Sequence, residues 1–344
     1  MHQTADRHDA SLLAWASAAG SGELHVLQID PVSGRVRTLQ CLALGGAIMP
    51  LAVSPDGRWL HAVDRQEPFQ VHTLAIDPRS GRLSPHTRTR LAGNMVQLAV
   101  SPDGRWLMTA SYGDDLVALH PIDADGRVGE ASQVLPTLKH AHAICPSPDG
   151  RTAWVSCLGA DRLLAHRMGP AGLEPRPVIE HPCPTGSGPR HLAFHPHRNW
   201  LFVIHELAGT VACLEVDGER PPRLLGQASV LPAGATCAPW SAELRISPDG
   251  RWLFATDRRE GTLSAIRICL DSGRLTHAAH MPTEPLPRSF AVSADGRTLL
   301  VASQDSGHLS VIRFDPDTAD LRPLGRHPCG LSPTWVEIRP TGAW

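Results

Sequence analysis

An all-β fold is predicted for this 344-residue chain: a β-propeller of seven four-stranded blades, the ring closed by the N- and C-terminal strands in one blade. Three observations carry the prediction. The turn "SPDGRWL" recurs at Ser54, Ser101 and Ser247, with "SPDGRTA" at Ser147, "SADGRTL" at Ser293 and degenerate copies "HPHRNWL" at His195 and "RPTGAW" at Arg339. Aligned on the proline slot, Pro55, Pro102, Pro148, Pro196, Pro248, Ala294 and Pro340, the copies stand 47, 46, 48, 52, 46 and 46 residues apart, a spacing that marks a repeat architecture. Finally, 30 glycines and 31 prolines punctuate the chain, which helical repeats of similar length would not tolerate.

Each unit reads in the same order: an apolar run, the Pro-Asp-Gly turn, a second apolar run such as "WLFATD", an alternating third run such as "TLSAIRI", then a Ser-Gly or Asp-Gly turn and a fourth strand. Proline presets one turn torsion, and Asp-Gly accepts the tight geometry that joins antiparallel strands. The aspartate is therefore read as a backbone cap. The last proline slot lies four residues from the chain end, so the final unit lacks its outer strands. "TWVEIR", from Thr334, is expected to pair beside "SLLAWAS", Ser11 to Ser17, and so close the ring. The whole chain, 1–344, reads as one propeller domain, with 1–10 as a flexible N-terminal extension.

Composition narrows the function. The 42% apolar residues suffice for a sizeable core, and a net charge of -2 gives no reason to expect a nucleic-acid or membrane partner. Eight scattered cysteines, without a Cys-x-x-Cys pair, read as reduced structural thiols. The start, "MHQTADRHDASLLAWASAAG", has acids where a signal peptide needs bases, and no run approaches the ~18 apolar residues of a membrane span. A cytoplasmic soluble protein, monomeric or weakly self-associating, is the expectation.

Charge inside the repeat is more telling. First and second strands are antiparallel, so the residue six before the proline slot lies near the residue ten after it, on the rim opposite the turn. In a propeller the first strand lines the central channel, and this rim surrounds its mouth. Six before the slot stand Met49, Val96, His142, Arg190, Ala242, Arg288 and Thr334; ten after it stand Arg65, Tyr112, Leu158, Glu206, Arg258 and Gln304. Titratable groups thus gather in one register, which independent surface charges would not select.

Arginines, a histidine and a glutamate around one mouth suit an anionic substrate whose reaction develops charge on oxygen. Arginine forks bind phosphate or carboxylate and stabilise an oxyanion, while Glu206 or His142 can activate water. Ester or lactone hydrolysis needs nothing more. The candidate catalytic residues are His142, Arg190, Glu206 and Arg258; the candidate substrate-binding residues are His191, Arg288, Tyr112 and Gln304. "HAH" (His140, His142) has no third ligand at metal spacing, and nucleophile-elbow, phosphate-loop and dinucleotide motifs are absent from the sequence, so neither metal nor cofactor is expected.

At "HAICPSPDGRTAWVSCLGADR", "GSGPRHLAFHP" with "IHELAGTV", "WSAELRISPDGRWLFATDRREGTLSAI", "PRSFAVSADGRTLLVASQDSGHLSVI" and "GLSPTWVEI" the chain resembles the seven-bladed propeller lactonase family, and within it the bacterial 6-phosphogluconolactonases. The resemblance spans nearly the whole chain. It implies a cofactor-independent conversion of 6-phosphoglucono-1,5-lactone to 6-phosphogluconate in the pentose phosphate route, with site residues that fall on His142, Arg190, Glu206 and Arg258. His205 stands where the family often has Asn, and "DRRE" is more charged than usual. Alternatives are a carboxymuconate-lactonising enzyme of the same family, another sugar lactonase, or a non-catalytic scaffold. The missing Gly-His and Trp-Asp repeat signatures argue against the scaffold.

Overall fold

The computed structural model describes residues 11–340, which form seven antiparallel sheets. The expected N-terminal extension, 1–10, lies outside the described residues. Blades 1 to 6 begin with the inner strands Ile48–Val53, Met95–Val100, Ala141–Pro146, Pro189–Phe194, Ser241–Ile246 and Pro287–Val292. Blade 7 takes Pro333–Pro340 as its inner strand and continues outward through Leu12–Ala18, Glu23–Ile29 and Val36–Ala43. Leu13 pairs with Arg339 and Trp15 with Glu337, so the ends close the ring as expected. Each inner strand touches the next, and that of blade 7 touches that of blade 1. Blade 3 alone carries a small addition, the two-residue strand Gly172–Leu173.

The repeated turn folds as its chemistry requires. The Ser54 hydroxyl donates to Asp56 Oδ1 (2.5 Å) and accepts from Trp59 N–H (3.0 Å), while Arg58 N–H donates to Asp56 Oδ1 (3.1 Å). Gly57 completes the turn at φ +72°, which an L side chain rarely adopts. The same set recurs at Ser101, Ser147, Ser247 and Ser293. In the degenerate copy His195 replaces the serine: its Nδ1 accepts from His197 N–H (3.0 Å) and its Nε2 bonds the Gly250 carbonyl oxygen of blade 5 (3.1 Å).

Apolar residues of the first three strands fill the space between blades, with Trp15, Trp154, Trp252, Phe202, Phe254, Phe290 and Phe314 fully buried. Three residues before the proline slot the inner strands carry Ala52, Ala99, Cys145, Ala193 and Ala291, small side chains where seven strands converge. The two exceptions, Arg245 and Glu337, form an ion pair at 3.1 Å.

Burial makes the fold acid-sensitive. His61, His191 and His205 are buried and pushed down to about 4, chiefly by loss of water. As pH falls below the ordinary value near 6.5, the unfolded chain takes up these protons first, so stability is full above that value and is lost on the way to pH 4. Each group contributes about 3 kcal/mol, and together they rival a typical domain stability. Thermal melts at pH 7.5 and 5.0 are expected to differ by roughly 10 °C or more; equal melting temperatures would contradict the assignment.

Candidate active site

All seven inner strands break register at the same place. Each contains one extra residue there: Val96, His142, Arg288 and Thr334 lack an opposing partner, and Met49-Pro50, Arg190-His191 and Ala242-Glu243 oppose single residues. A bulge re-aims side chains that regular pairing would send to alternate faces. Hence consecutive residues, Arg190 and His191, both reach blade 5.

The approach to Arg190 is fixed from blade 3. Asp161 accepts from Gly186 N–H (2.7 Å) and Gly188 N–H (2.9 Å), and the Ser156 hydroxyl donates to the Arg190 carbonyl oxygen (2.5 Å). Gly188, at φ +64°, is strained for any other residue, and a Cβ there would sit 2.9 Å from Leu207 Cγ, so that side chain would have to shift. This is what the glycine-rich approach in "GSGPRH" provides.

At the mouth, Glu206 Oε2 pairs with Arg190 Nε at 2.9 Å and Arg258 Nη2 at 2.8 Å. Its Oε1 accepts from the Trp240 indole N–H at 3.2 Å. Arg258 lies over the Trp240 ring, 4.0 Å from its centroid, and donates to the Trp240 and Ser241 carbonyl oxygens at 3.2 and 3.4 Å. Asp257 Oδ2 holds this corner through Trp240 N–H and the Ser241 hydroxyl. Arg190 Nη1 also donates to the Ala242 carbonyl oxygen and meets His191 Nε2 at 3.2 Å. Counting donors, Arg190 Nη2 and Arg258 Nη1 make no hydrogen bond among the described residues, and Arg190 Nε, though 2.9 Å from Glu206 Oε2, is not aligned to donate to it.

Positive charge exceeds negative here. Burial, then repulsion from Arg190, brings Arg258 down to about 9; burial, then Arg190 and Arg65, does the same to Arg288. Arg288 has no hydrogen bond or ion pair among the described residues. Arg65 donates to Asn94 Oδ1 (2.6 Å) and toward Met49 Sδ (3.0 Å). Burial and the surrounding Arg190, His191, Arg288 and Arg258 hold His142 well below its ordinary value, so the imidazole is neutral. Its Nδ1 is buried and unpaired among the described residues. Such a cluster is relieved by an anion that brings its own oxygens.

The register thus brings Arg190, Glu206 and Arg258 into direct contact, with His142 edge-on to His191 (ring centroids 5.2 Å) and to Tyr112 (6.0 Å). Tyr112 stacks on His140 at 4.1 Å, and burial together with Glu206 and Asp115 pushes its phenol up. Gln304 is fixed by its backbone N–H to the Leu286 carbonyl oxygen (2.9 Å), its side-chain amide without a partner among the described residues. His191, read as a binding residue, has both ring nitrogens engaged inside the protein. Sequence reasoning missed Trp240, Glu243, Arg245 and Glu337. Their signal was charge in "SAELRI" and "TWVEIR", where other inner strands are small or apolar. One set of metal-ligand types within 4.8 Å of one another among the described residues, Glu23, His25 and Cys41, lies on outer strands of blade 7, away from this mouth.

On a seven-bladed propeller, this arginine-rich mouth with its carboxylate suits the chemistry of a lactone-hydrolysing enzyme. The chain belongs to the seven-bladed β-propeller lactonase family, whose model matches residues 11–338. It is 33% identical over 328 residues to the 6-phosphogluconolactonase of Pectobacterium atrosepticum, covering 95% of this chain and 98% of the relative. The 6-phosphogluconolactonase of Cronobacter sakazakii is 31% identical, with 94% and 97% covered. The solved structure of the periplasmic gluconolactonase of Pseudomonas aeruginosa superposes with a TM-score of 0.89 at 29% identity, over 96% of this chain and 99% of that one.

Proposed function

We propose that this protein hydrolyses 6-phosphoglucono-1,5-lactone to 6-phosphogluconate, the conversion of the pentose phosphate route. The observation that carries the reading is the excess of guanidinium groups at the channel mouth: Arg190 and Arg258 share the Glu206 carboxylate, while Arg288, with Arg65 near enough to repel it, adds charge without an ion pair among the described residues. A phosphorylated lactone offers two places where negative charge helps, the fixed phosphate and the carbonyl oxygen that becomes an oxyanion. The free donors of Arg190 and Arg258 suit the second, and the unpaired Arg288, with Arg65 beside it, suits the first.

Glu206 takes a proton from water as its oxygen attacks C1, forming the tetrahedral oxyanion. Collapse re-forms the carbonyl, breaks the bond from C1 to the ring oxygen, and passes the proton to that oxygen as it leaves. Neither redox change nor covalent intermediate is required. The names of the relatives support the phosphorylated substrate, whereas the periplasmic neighbour's name favours plain gluconolactone.

Assay of the purified protein with phosphorylated lactone, unphosphorylated lactone and carboxymuconate, after subtraction of spontaneous hydrolysis, tests the reading. The phosphorylated lactone is expected to be preferred; equal rates on both sugar lactones would remove the phosphate from the reading. Arg288→Ala is expected to raise KM for the phosphorylated lactone by roughly 10- to 100-fold, the worth of a charged hydrogen bond, while leaving KM for gluconolactone nearly unchanged.

A further inference from the structure

The cluster below the mouth is not used by the chemistry just described. Glu243 and Arg245 lie on the inner strand of blade 5 and Glu337 on that of blade 7. Glu243 is 3% exposed. Ionisable groups this deep are expensive to desolvate, and filling the same space with apolar side chains is often neutral or stabilising. Their arrangement is ordered. Glu337 Oε1 accepts from Arg245 Nη2 and from the Trp335 indole N–H, each at 3.1 Å. Glu243 Oε2 faces Arg245 Nη2 at 3.8 Å, and Glu243 Oε1 meets His191 Nδ1 at 2.9 Å and accepts from Leu244 N–H at 3.1 Å. His191 Nε2, finally, lies 3.2 Å from Arg190 Nη1.

Donor counting fixes the protons along this chain. Arginine has only donors, so the contact with Arg190 requires the lone pair of His191 Nε2. The ring proton then sits on Nδ1 and points at the carboxylate of Glu243. The charges agree. Burial holds His191 down at about 4, and although burial alone pushes the Glu243 carboxyl up, Arg245, Arg190 and the His191 hydrogen bond hold it below the ordinary carboxylate value.

We propose that Glu243 and His191 form a positioning pair for Arg190: the Glu243 carboxylate locks the His191 tautomer, and His191 Nε2 holds one edge of the Arg190 guanidinium so that Nη2 stays free for the lactone oxygen. Arg245, anchored by Glu337, holds Glu243 in turn. The last clause of the role, toward the lactone, rests on the function proposed above; the tautomer does not.

The pair makes a sharp prediction for Glu243→Gln. The new amide cannot serve both neighbours: with its oxygen kept on His191 Nδ1 and Leu244 N–H its NH2 meets the Arg245 guanidinium, and turned over toward Arg245 its NH2 meets His191 Nδ1 and Leu244 N–H. In the turned-over form His191 must accept at Nδ1 and carry its proton on Nε2, pointing at the Arg190 donor. The contact becomes repulsive and the guanidinium shifts. Long-range 1H–15N correlation of the His191 ring is expected to report a neutral ring with its proton on Nδ1 in the unmodified protein and a measurable share of the Nε2 tautomer in Glu243→Gln. In the lactone assay, kcat is expected to fall on the order of tenfold or more with KM changed little, the scale on which lost orienting partners act. In a His191→Ala background, Glu243→Gln is expected to cause no further fall.

An Nε2 proton in the unmodified protein overturns the proposal, whatever the substrate. Effects of Glu243→Gln that simply add to those of His191→Ala also overturn it, because Glu243 would then act independently of the ring. Should Glu243→Gln not fold, Glu243→Asp, which keeps the charge, is expected to retain the Nδ1 tautomer; loss of that tautomer in the folded Asp variant counts against the pair. Absence of any lactone hydrolysis by the unmodified protein would defeat the proposed substrate and leave the tautomer measurement as the test.

Discussion

Arg190→Lys is expected to lower kcat/KM for the lactone by on the order of a hundred- to a thousandfold, although the positive charge is kept. The guanidinium performs four tasks at once. Its Nε pairs with Glu206, its Nη1 group serves the Ala242 carbonyl oxygen and His191, and its Nη2 group is left for the ligand. An ammonium has three donors radiating from one atom and cannot reach partners on two blades while presenting a further pair to a substrate oxygen. Arg190 is also 2% exposed, so the replacement would strand Glu206 Oε2 with one guanidinium in place of two. Steady-state kinetics of the Lys and Ala variants, with circular dichroism to check folding, measure this. A Lys variant with more than about a tenth of the original kcat/KM would show that charge alone suffices.

The blades were legible because each turn is a local hydrogen-bonded unit, complete within Ser, Asp, Gly and the residue after Arg. Even the His195 copy kept its place in the count, since a ring nitrogen substitutes for the serine oxygen. The site was legible for a related reason. The register break lies at a constant distance from the proline slot in every inner strand, so counting from the turn lands on the residues it re-aims, His142, Arg190 and Arg288 among them. The count assumed regular pairing, yet it found Glu206 because the extra residue shifts every blade alike.

Contacts across blades gave no such count. Glu243 stands one residue beyond the chosen register, and its partners His191 and Arg190 belong to blade 4, more than fifty residues away. Trp240 lies in the loop before its strand and reaches Glu206 only because adjacent inner strands pack side by side. His191 read as a ligand contact because sequence places it at the mouth, whereas its Nδ1 is taken by Glu243 of the neighbouring blade and its Nε2 by Arg190 of its own strand. A polar residue inside an otherwise small inner strand was the available warning, present at Glu243, Arg245 and Glu337 alike.

Glu206→Gln separates the two remaining candidates for the base. The amide keeps the shape of the carboxylate, its oxygen can still face Arg190 and Arg258, and its NH2 replaces Oε1, the atom that accepts from Trp240. What it loses is the acceptor for the Trp240 indole, the negative charge between two guanidinium groups and the capacity to take a proton from water. If Glu206 is the base, turnover falls by on the order of a hundredfold or more, while the affinity for 6-phosphogluconate, measured by calorimetry, stays within a few-fold. His142 is already neutral, and it is surrounded by Arg190, Arg258 and Arg288, so the imidazolium formed on taking a proton would stand beside three guanidinium groups. That makes it the poorer acceptor, and His142→Ala is expected to reduce turnover far less than Glu206→Gln. The reverse result, full turnover in Glu206→Gln with its loss in His142→Ala, would assign the base to His142 and leave Glu206 as the counterion that holds Arg190 and Arg258 together.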